Sequence, residues 1–203
     1  MTPTPPIDPR TVLAHTDAWL VRAIIGLNLC PFAKAVHSRG QIRSVVCEAT
    51  DEGGLLTTLL HELDRLSNTD AQEVDTTLLI HPRVLNHFDD FNQFLGTAEH
   101  ALARAGHEGT IQLASFHPDY RFADCEADDI ANATNRSPYP MLHLLREASV
   151  ERAVAAFPDA AAIYDRNIRT LRTLGPLRWQ QLLRECLGAG AGAGACEDPD
   201  EGR

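Results

Sequence analysis

The chain has 203 residues, of which 44% are hydrophobic and 23% are charged, as in an ordinary globular protein. Single domains commonly reach about 200 residues, so one hydrophobic core accounts for this length. The 18 Lys and Arg residues and 28 Asp and Glu residues leave a formal net charge of −10, which repels phosphate backbones and anionic lipids. We therefore expect neither nucleic acid nor a membrane as the main partner.

The cysteines, the apolar runs and the absence of signature motifs narrow the class of protein further. The five cysteines are widely spaced, form no CxxC pair and follow no signal peptide, which favours reduced thiols and a cytoplasmic location. The longest apolar runs, such as Ala23 to Leu27, are far shorter than the roughly 20 residues that span a bilayer. The sequence has neither a P-loop nor a glycine-rich dinucleotide fingerprint, so we expect no nucleotide cofactor.

The two ends of the chain differ in character from its middle. Residues 1–7 carry three prolines without a periodic pattern and predict a flexible arm. Asp8 as N-cap and Pro9 as first helical residue then predict an N-terminal helix. Residues 188–203 alternate Gly and Ala before an acidic stretch, which predicts a disordered tail. We therefore expect a single α/β domain over residues 8–187.

Three short runs of β-branched and apolar residues alternate with two helical patterns in the middle of the chain. The runs Ile42 to Glu48, Thr76 to Ile80 and Thr110 to Phe116 predict strands. Apolar residues at three- and four-residue spacing between them predict helices with one apolar face. This order is typical of parallel strands joined by crossover helices. We expect a small three-stranded, mostly parallel β-α-β-α-β sheet with an N-terminal helix and a C-terminal helical extension.

Three further helices are predicted after the third strand. Ser137 and Pro138 have the character of an N-cap and a first helical residue, and an apolar stripe starts at Leu142. Asp159 has the character of an N-cap for a second helix, and Pro176 opens a third. These helices form the predicted C-terminal extension.

Two histidines follow predicted strands and precede prolines. His81 comes directly after the second strand and His117 directly after the third. In open α/β sheets ligands gather beyond the carboxyl ends of the strands, so both side chains are candidates for one pocket. There His117 suits a catalytic base or a metal ligand, and His81 suits substrate binding. Alternatively, each is a packed histidine, hydrogen-bonded at a strand end.

A metal site is one interpretation of the residues after Pro140. His143 and Glu147 lie four residues apart on a predicted helix, so both would face the same side. With His117 they would form a set of two histidines and one carboxylate, the ligand type of non-haem iron and hydrolytic zinc. A divalent transition metal, zinc or iron, is therefore one expected cofactor. The alternative is a solvated helix face with a His–Glu pair.

Cys30 is the candidate nucleophile. It precedes Pro31 just after the first predicted helix, where the backbone donors of a following turn would stabilise a thiolate. A nucleophilic thiol needs a base within hydrogen-bond reach, and His117 or His81 would have to supply it. A buried, inert thiol is the alternative.

The stretch from Asp119 to Pro140 lacks hydrophobic periodicity and is too long for an idle connection, which favours a functional loop. Arg136 is a candidate receptor for carboxylate or phosphate, because its guanidinium group donates to anions. The other candidates are Asp129 as a catalytic carboxylate, and Tyr120, Asn132 and Asn135 as substrate-binding groups. The alternative is a capping loop whose Asn and Asp side chains satisfy their own backbone.

Several strings of the sequence resemble one bacterial family. They are Gly26 to Ala33, Phe116 to Tyr120, Asn132 to Pro140 and Leu142 to Ser149. Between Trp19 and Leu174 the chain resembles domain-of-unknown-function family 1415, and a string as long as Thr134 to Pro140 is quite specific. The resemblance implies a cytoplasmic bacterial protein and implies no particular reaction.

Together these features favour an enzyme that acts on a small anionic metabolite or a modified amino acid through a pocket of His, Cys, Arg and Asn side chains. Metal chemistry and metal-free thiol chemistry are the alternatives for its reaction. A non-catalytic module that binds a small ligand or assembles into a homo-oligomer is the alternative from another class. In that case arginines of the last helices, such as Arg166 and Arg169, would contact a partner.

Overall fold

The computed structural model describes residues 8–156 and 160–189. The predicted arm of residues 1–7, the predicted N-cap Asp159 and the tail from residue 190 onward lie outside the described residues. Within the described part, a four-stranded sheet lies between helices on both of its faces.

The N-terminal helix α1 (Pro9–Trp19) begins where the capping signals predict it. The Asp8 carboxylate accepts a hydrogen bond from the backbone N–H of Arg10 at 3.3 Å, and Pro9 occupies the first turn. The helix continues as a π-helical segment, Leu20–Ile25. The short helix α2 (Ala33–Ser38) then leads into the sheet.

The three predicted strands and the two helices between them are confirmed. Each strand matches its predicted run to within a few residues at the ends. In chain order these elements are β1 (Ile42–Val46), α3 (Glu52–Asn68), β2 (Thr76–Ile80), α4 (Phe88–Arg104) and β3 (Ile111–Phe116).

A fourth strand, β4 (Met141–Arg146), occupies the stretch for which a helix was predicted after Pro138. It lies between β2 and β3 in the order β1-β2-β4-β3 and is antiparallel to both neighbours. The sheet is therefore four-stranded and mixed, and the prediction of a three-stranded, mostly parallel sheet is wrong in these two respects. Leu and Met favour helices, but hydrogen bonding to a strand on each side overrides this modest propensity.

Three helices follow the sheet: α5 (Glu147–Ala156), α6 (Ala160–Leu174) and α7 (Pro176–Leu187). The predicted opening of the last helix at Pro176 is confirmed. Gly175 just before it has a φ of +76°, which glycine adopts without strain. The long connection between β3 and β4 contains a 3₁₀ helix, Ile130–Asn135.

One hydrophobic cluster lies on each face of the sheet. We call the face covered by α1 and α7 face A, and the face covered by α3 and α4 face B. On face A the strands contribute Leu78, Ile80 and Met141. On face B they contribute Leu79, Leu142 and Leu144. None of the described helices combines the length and apolar character that a membrane span requires.

The strand directions bring four chain segments to one edge of the sheet. β1 and β2 are parallel, and β4 is antiparallel to both β2 and β3, so β1, β2 and β3 all run the same way. Their carboxyl ends and the amino end of β4 therefore share one edge. His81, His117 and Pro140 are the residues that adjoin the ends of β2, β3 and β4 there.

Candidate functional site

His81 follows β2 and is completely buried. Its Nδ1 lies 3.0 Å from the backbone carbonyl of Val84, and because a carbonyl only accepts, the neutral ring carries its proton on Nδ1. Nε2 is then an acceptor, and this atom is buried without a partner among the described residues. Desolvation lowers the pKa of His81 from 6.5 to about 4, so the ring is neutral near neutral pH.

His117 follows β3 and is also completely buried. Its Nε2–H donates to the carbonyl of Leu85 at 3.2 Å, and its Nδ1 accepts from the backbone N–H of Asp119 at 3.0 Å. Burial lowers the pKa of this ring as well. With both nitrogens engaged, His117 is held neutral, in one tautomer and one orientation.

The two histidines belong to one aromatic cluster beside the amino end of α4. The ring centre of Phe91 lies 5.6 Å from that of His81 and 5.2 Å from that of His117. Phe88 lies 5.5 Å from His117. We call these four residues and Leu85 the histidine cluster. The structure thus brings together the two histidines that the sequence predicts for one pocket, although neither ring reaches solvent.

The first half of the predicted functional loop is tied together by Asn132 and Asp129. Asn132 is completely buried; its Oδ1 accepts from the N–H of Phe122 at 3.0 Å, and its Nδ2 donates to the carbonyl of Glu126 at 2.8 Å. The carboxylate of Asp129 accepts from the N–H of Ala131 at 2.8 Å and caps the 3₁₀ helix. These are the contacts that the capping-loop alternative predicts.

Asn135 and Arg136 also bond to backbone. The Nδ2 of Asn135 donates to the carbonyl of Ser115 at 3.1 Å. The guanidinium of Arg136 donates to the carbonyls of Tyr120 at 3.2 Å and Ala127 at 2.7 Å. A guanidinium has five N–H groups, so Arg136 retains donors that bond to none of the described residues.

The loop rests on the histidine cluster through Tyr120. Its ring centre lies 5.2 Å from that of Phe88 and 5.0 Å from that of Phe122. The neighbouring Arg121 forms an exposed ion pair with Asp89 of α4 at 3.4 Å. The loop therefore packs against the histidine cluster and against the first turn of α4.

Cys30 lies apart from the histidine cluster. Its partly buried side chain packs against the hydrophobic cluster on face A. The histidines pack with Phe91, which belongs to the cluster on face B. Among the described contacts, none joins Cys30 to either ring. The structure thus does not bring the thiol together with its predicted base.

The predicted metal ligands do not converge. His143 lies on β4 and Glu147 begins α5, so the prediction that one helix presents both is wrong. The Nε2–H of His143 donates to the hydroxyl of Thr76 on face A at 2.7 Å, whereas His117 packs on face B. Over residues 8–156 and 160–189, no three His, Cys, Asp or Glu side chains are grouped so that they could hold a metal ion.

Comparison with known proteins identifies the family. Residues 11–181 match the family described as Protein of unknown function (DUF1415). The chain belongs to this family. No curated protein and no solved structure matches it.

In this DUF1415 protein, two of the strings that carried the resemblance adjoin the histidine cluster. Phe116 to Tyr120 supplies His117 and the ring that contacts Phe88. Asn132 to Pro140 closes the loop, and the carbonyl of Pro140 accepts from the N–H of His81 at 3.0 Å. The family strings and the cluster therefore meet at the same edge of the sheet.

Leu85 is a residue of the cluster that the sequence does not reveal. Its φ of +58° is a left-handed conformation that costs a residue with a side chain about 1–3 kcal/mol. Its carbonyl receives the hydrogen bond of His117, so the strained residue helps to hold that ring. Leucine carries no local signal for such a backbone, in contrast to Gly or Asn.

A second pair of polar side chains was also missed. His15 of α1 lies 2.7 Å from the hydroxyl of Tyr139, measured from its Nδ1. Burial lowers the pKa of His15 and raises that of Tyr139. The helical spacing of Val12, His15 and Trp19 places His15 on the inward side of α1, and this was the available signal.

Proposed function

We propose that this DUF1415 protein is an enzyme that acts on a small anionic metabolite or a modified amino acid, with His81 as the proton-transferring residue. The observation that carries the proposal is the Nε2 of His81, a buried acceptor with no partner among the described residues. Such an unsatisfied group costs about 1–3 kcal/mol of stability. Buried polar groups without a partner are rare, and functional sites are where they are expected. A ligand that donates a hydrogen bond to Nε2 would remove this loss of stability.

An anionic substrate would change the charge state of His81. His81 is neutral because desolvation penalises its charged form. An anion bound beside the ring would favour the protonated form and raise the pKa of His81 toward neutral pH, where proton transfer is most efficient. The N–H groups of Arg136 that bond to none of the described residues are suitable donors for a carboxylate or a phosphate.

Entry of a substrate requires the loop to move, since both histidines are completely buried. One of the contacts that hold the loop on α4 is weak. The ion pair of Arg121 and Asp89 is exposed, and such pairs contribute at most about 1 kcal/mol. We infer that opening around Tyr120 admits the substrate and that reclosing excludes water.

A non-catalytic ligand-binding or assembly module is the second candidate, and one observation favours it. Asn132, Asn135 and Arg136 bond to the backbone of the loop and of β3, as a structural loop requires. The separation of Cys30 from the histidines also leaves thiol chemistry out of the proposed centre.

The test is a ligand screen read out on the histidine rings. The full chain, with nitrogen-labelled histidine, is mixed with a panel of small carboxylates and phosphate monoesters. We expect at least one compound to raise the thermal midpoint and to shift the Nε2 resonance of His81 toward the protonated form. His81→Phe should abolish this response. His61→Phe, which replaces a histidine whose side chain is 72% exposed, should retain it.

The outcomes separate the two candidates. A compound that binds His81→Phe as tightly as the unmodified protein would contradict a role for His81. A compound that binds through His81 but is recovered unchanged after prolonged incubation would favour the non-catalytic module. Should His81→Phe unfold, His81→Asn tests the same point, because its side-chain amide can replace Nδ1–H as the donor to Val84 and leaves no group at the position of Nε2.

A further inference from the structure

The outer edge of β1 carries unpaired backbone groups. β1 lies at one end of the strand order, and the N–H of Cys47 donates to the carbonyl of Ile80 of β2 at 2.7 Å. In a parallel ladder this bond means that the odd-numbered residues of β1 direct their backbone N–H and C=O groups toward β2. Ile42, Ser44 and Val46 therefore direct their N–H and C=O groups outward. No hydrogen bond from the described part of the chain reaches these outward groups.

The opposite edge of the sheet, β3, is covered. The side-chain amide of Asn135 donates to the outward carbonyl of Ser115 at 3.1 Å. The backbone carbonyl of Asn135 accepts from the N–H of His117 at 3.2 Å. The loop thus blocks further strand pairing at the end of β3, whereas none of the described residues covers β1 in this way.

β1 also lacks the features by which natural edge strands avoid pairing. Ile42–Val46 contains no proline or lysine, and its register with β2 has no bulge. Its charged side chain, Arg43, is held by two hydrogen bonds to Glu62 of α3, at 2.7 and 3.0 Å. A groove of about 300 Å³ between β1 and the end of α3 leaves the edge accessible on face B.

We propose that β1 pairs antiparallel with β1 of a second copy of this chain, around a two-fold axis at Ser44. This register uses all three outward residues, because it places Ser44 opposite Ser44 and Ile42 opposite Val46. Ile42 and Val46 are only partly buried and lie on face A. Their cross-strand contact covers apolar surface that is otherwise exposed, and one continuous sheet runs through both copies.

Charged residues just beyond the ends of β1 are complementary between the two copies. In the proposed register Glu48 of one copy lies opposite Gly40 of the other, next to Arg39. Glu48 and Arg39 are exposed, and neither forms an ion pair within the described chain. The two-fold axis brings this opposite-charge pair together twice. A self-complementary edge of this kind fits a second copy better than an unrelated peptide.

Charge reversal tests the interface. Sedimentation velocity of the full chain should show a dimer, with twice the 22.3 kDa mass of the chain. Glu48→Arg and Arg39→Glu should each weaken the dimer by about tenfold, since two attractive contacts become repulsive. The double variant should restore the original dissociation constant. Both sites are exposed, so an unchanged circular dichroism spectrum is expected throughout.

Disulfide formation tests the register. The test uses a variant in which serine replaces Cys125 and Cys196. In it, Ser44→Cys should form a covalent dimer under mild oxidation. The Cα atoms of hydrogen-bonded opposite residues lie about 5.5 Å apart, which a disulfide can span. The matched control is Gln112→Cys, an exposed position on β3, which should form no covalent dimer under the same oxidation. The proposal would be overturned if the full chain sediments as a monomer and Ser44→Cys forms no disulfide between two copies. So would a dimer that neither charge reversal nor Ser44→Cys affects.

Discussion

Burial of His81 and His117 removes the water that would stabilise their charged forms, which lowers the pKa of each ring and favours its neutral state. His81 and His117 show two versions of this state. Within the described part of the chain, His117 has a hydrogen bond at each ring nitrogen, whereas His81 has one, at Nδ1. His117 is therefore held in one orientation, whereas the Nε2 of His81 bonds to none of the described residues.

The first prediction concerns the pH dependence of stability. The pKa of His81 is about 4 in the folded protein and returns to its ordinary 6.5 on unfolding. Between these values the unfolded chain binds the extra proton, so the free energy of unfolding falls as the pH is lowered. His81 alone should account for a loss of about 3 kcal/mol, which is complete below its folded pKa. Above pH 6.5 this contribution is fully present.

Urea unfolding at several pH values measures this loss. His81→Phe should show a shallower decline in the free energy of unfolding over the same range, because one linked proton has been removed. If the two proteins decline in parallel, His81 is already protonated in the fold or does not become exposed on unfolding.

At the scale of elements, Arg146 connects the sheet to the end of α3. Its terminal nitrogen donates to the carbonyls of Leu66 and Thr69, each at 2.6 Å, and to Val74 at 3.1 Å. The last carbonyls of a helix lack the N–H donor four residues further on, and the guanidinium of Arg146 donates to two such carbonyls here. The side chain at the end of β4 thereby holds the end of α3 against the turn before β2.

We predict that Arg146→Met destabilises the fold by about 3 kcal/mol, because the charge-assisted bonds are lost and the carbonyls of Thr69 and Val74 lose their guanidinium donor. Methionine keeps most of the apolar stem, so packing changes little. Arg152→Met on α5 is the matched control, since the Arg152 side chain is 67% exposed, and its effect should stay below about 0.5 kcal/mol. If urea unfolding shows that Arg146→Met loses as little free energy of unfolding as the control, Arg146 is dispensable.

For the whole molecule, β4 is the strand on which both layers depend. It pairs with β2 on one side and β3 on the other. Met141 belongs to the cluster on face A, and Leu142 and Leu144 belong to the cluster on face B. All three side chains are completely buried. Loss of packing at β4 therefore weakens the contacts of the sheet with the helices on both sides.

We predict that Leu144→Ala lowers the free energy of unfolding by about 2–5 kcal/mol, the usual cost of a cavity at a fully buried leucine. Leu177→Ala, at a leucine that is 80% exposed on α7, should change it by less than about 0.5 kcal/mol. Chemical denaturation of both variants gives the comparison. A small effect at Leu144 would mean that the surrounding side chains collapse into the space.

The sequence by itself determined the elements whose signals are short-range. The start of α1 follows from Asp8 and Pro9, and the junction of α6 and α7 follows from Gly175 and Pro176. The strands β1, β2 and β3 follow from runs of β-branched and apolar residues, and α3 and α4 follow from helical spacing. The grouping of His81 with His117 also followed, because both come directly after strands that run the same way.

Only the tertiary structure decided β4 and everything that depends on it. The run from Met141 to Arg146 has the composition of a helix, and it is a strand because two neighbours satisfy its backbone on both sides. The face on which a side chain lies then depends on strand register, which alternates with every residue. That alternation separates His143 from His117. Cys30, which follows the π-helical segment, packs on face A.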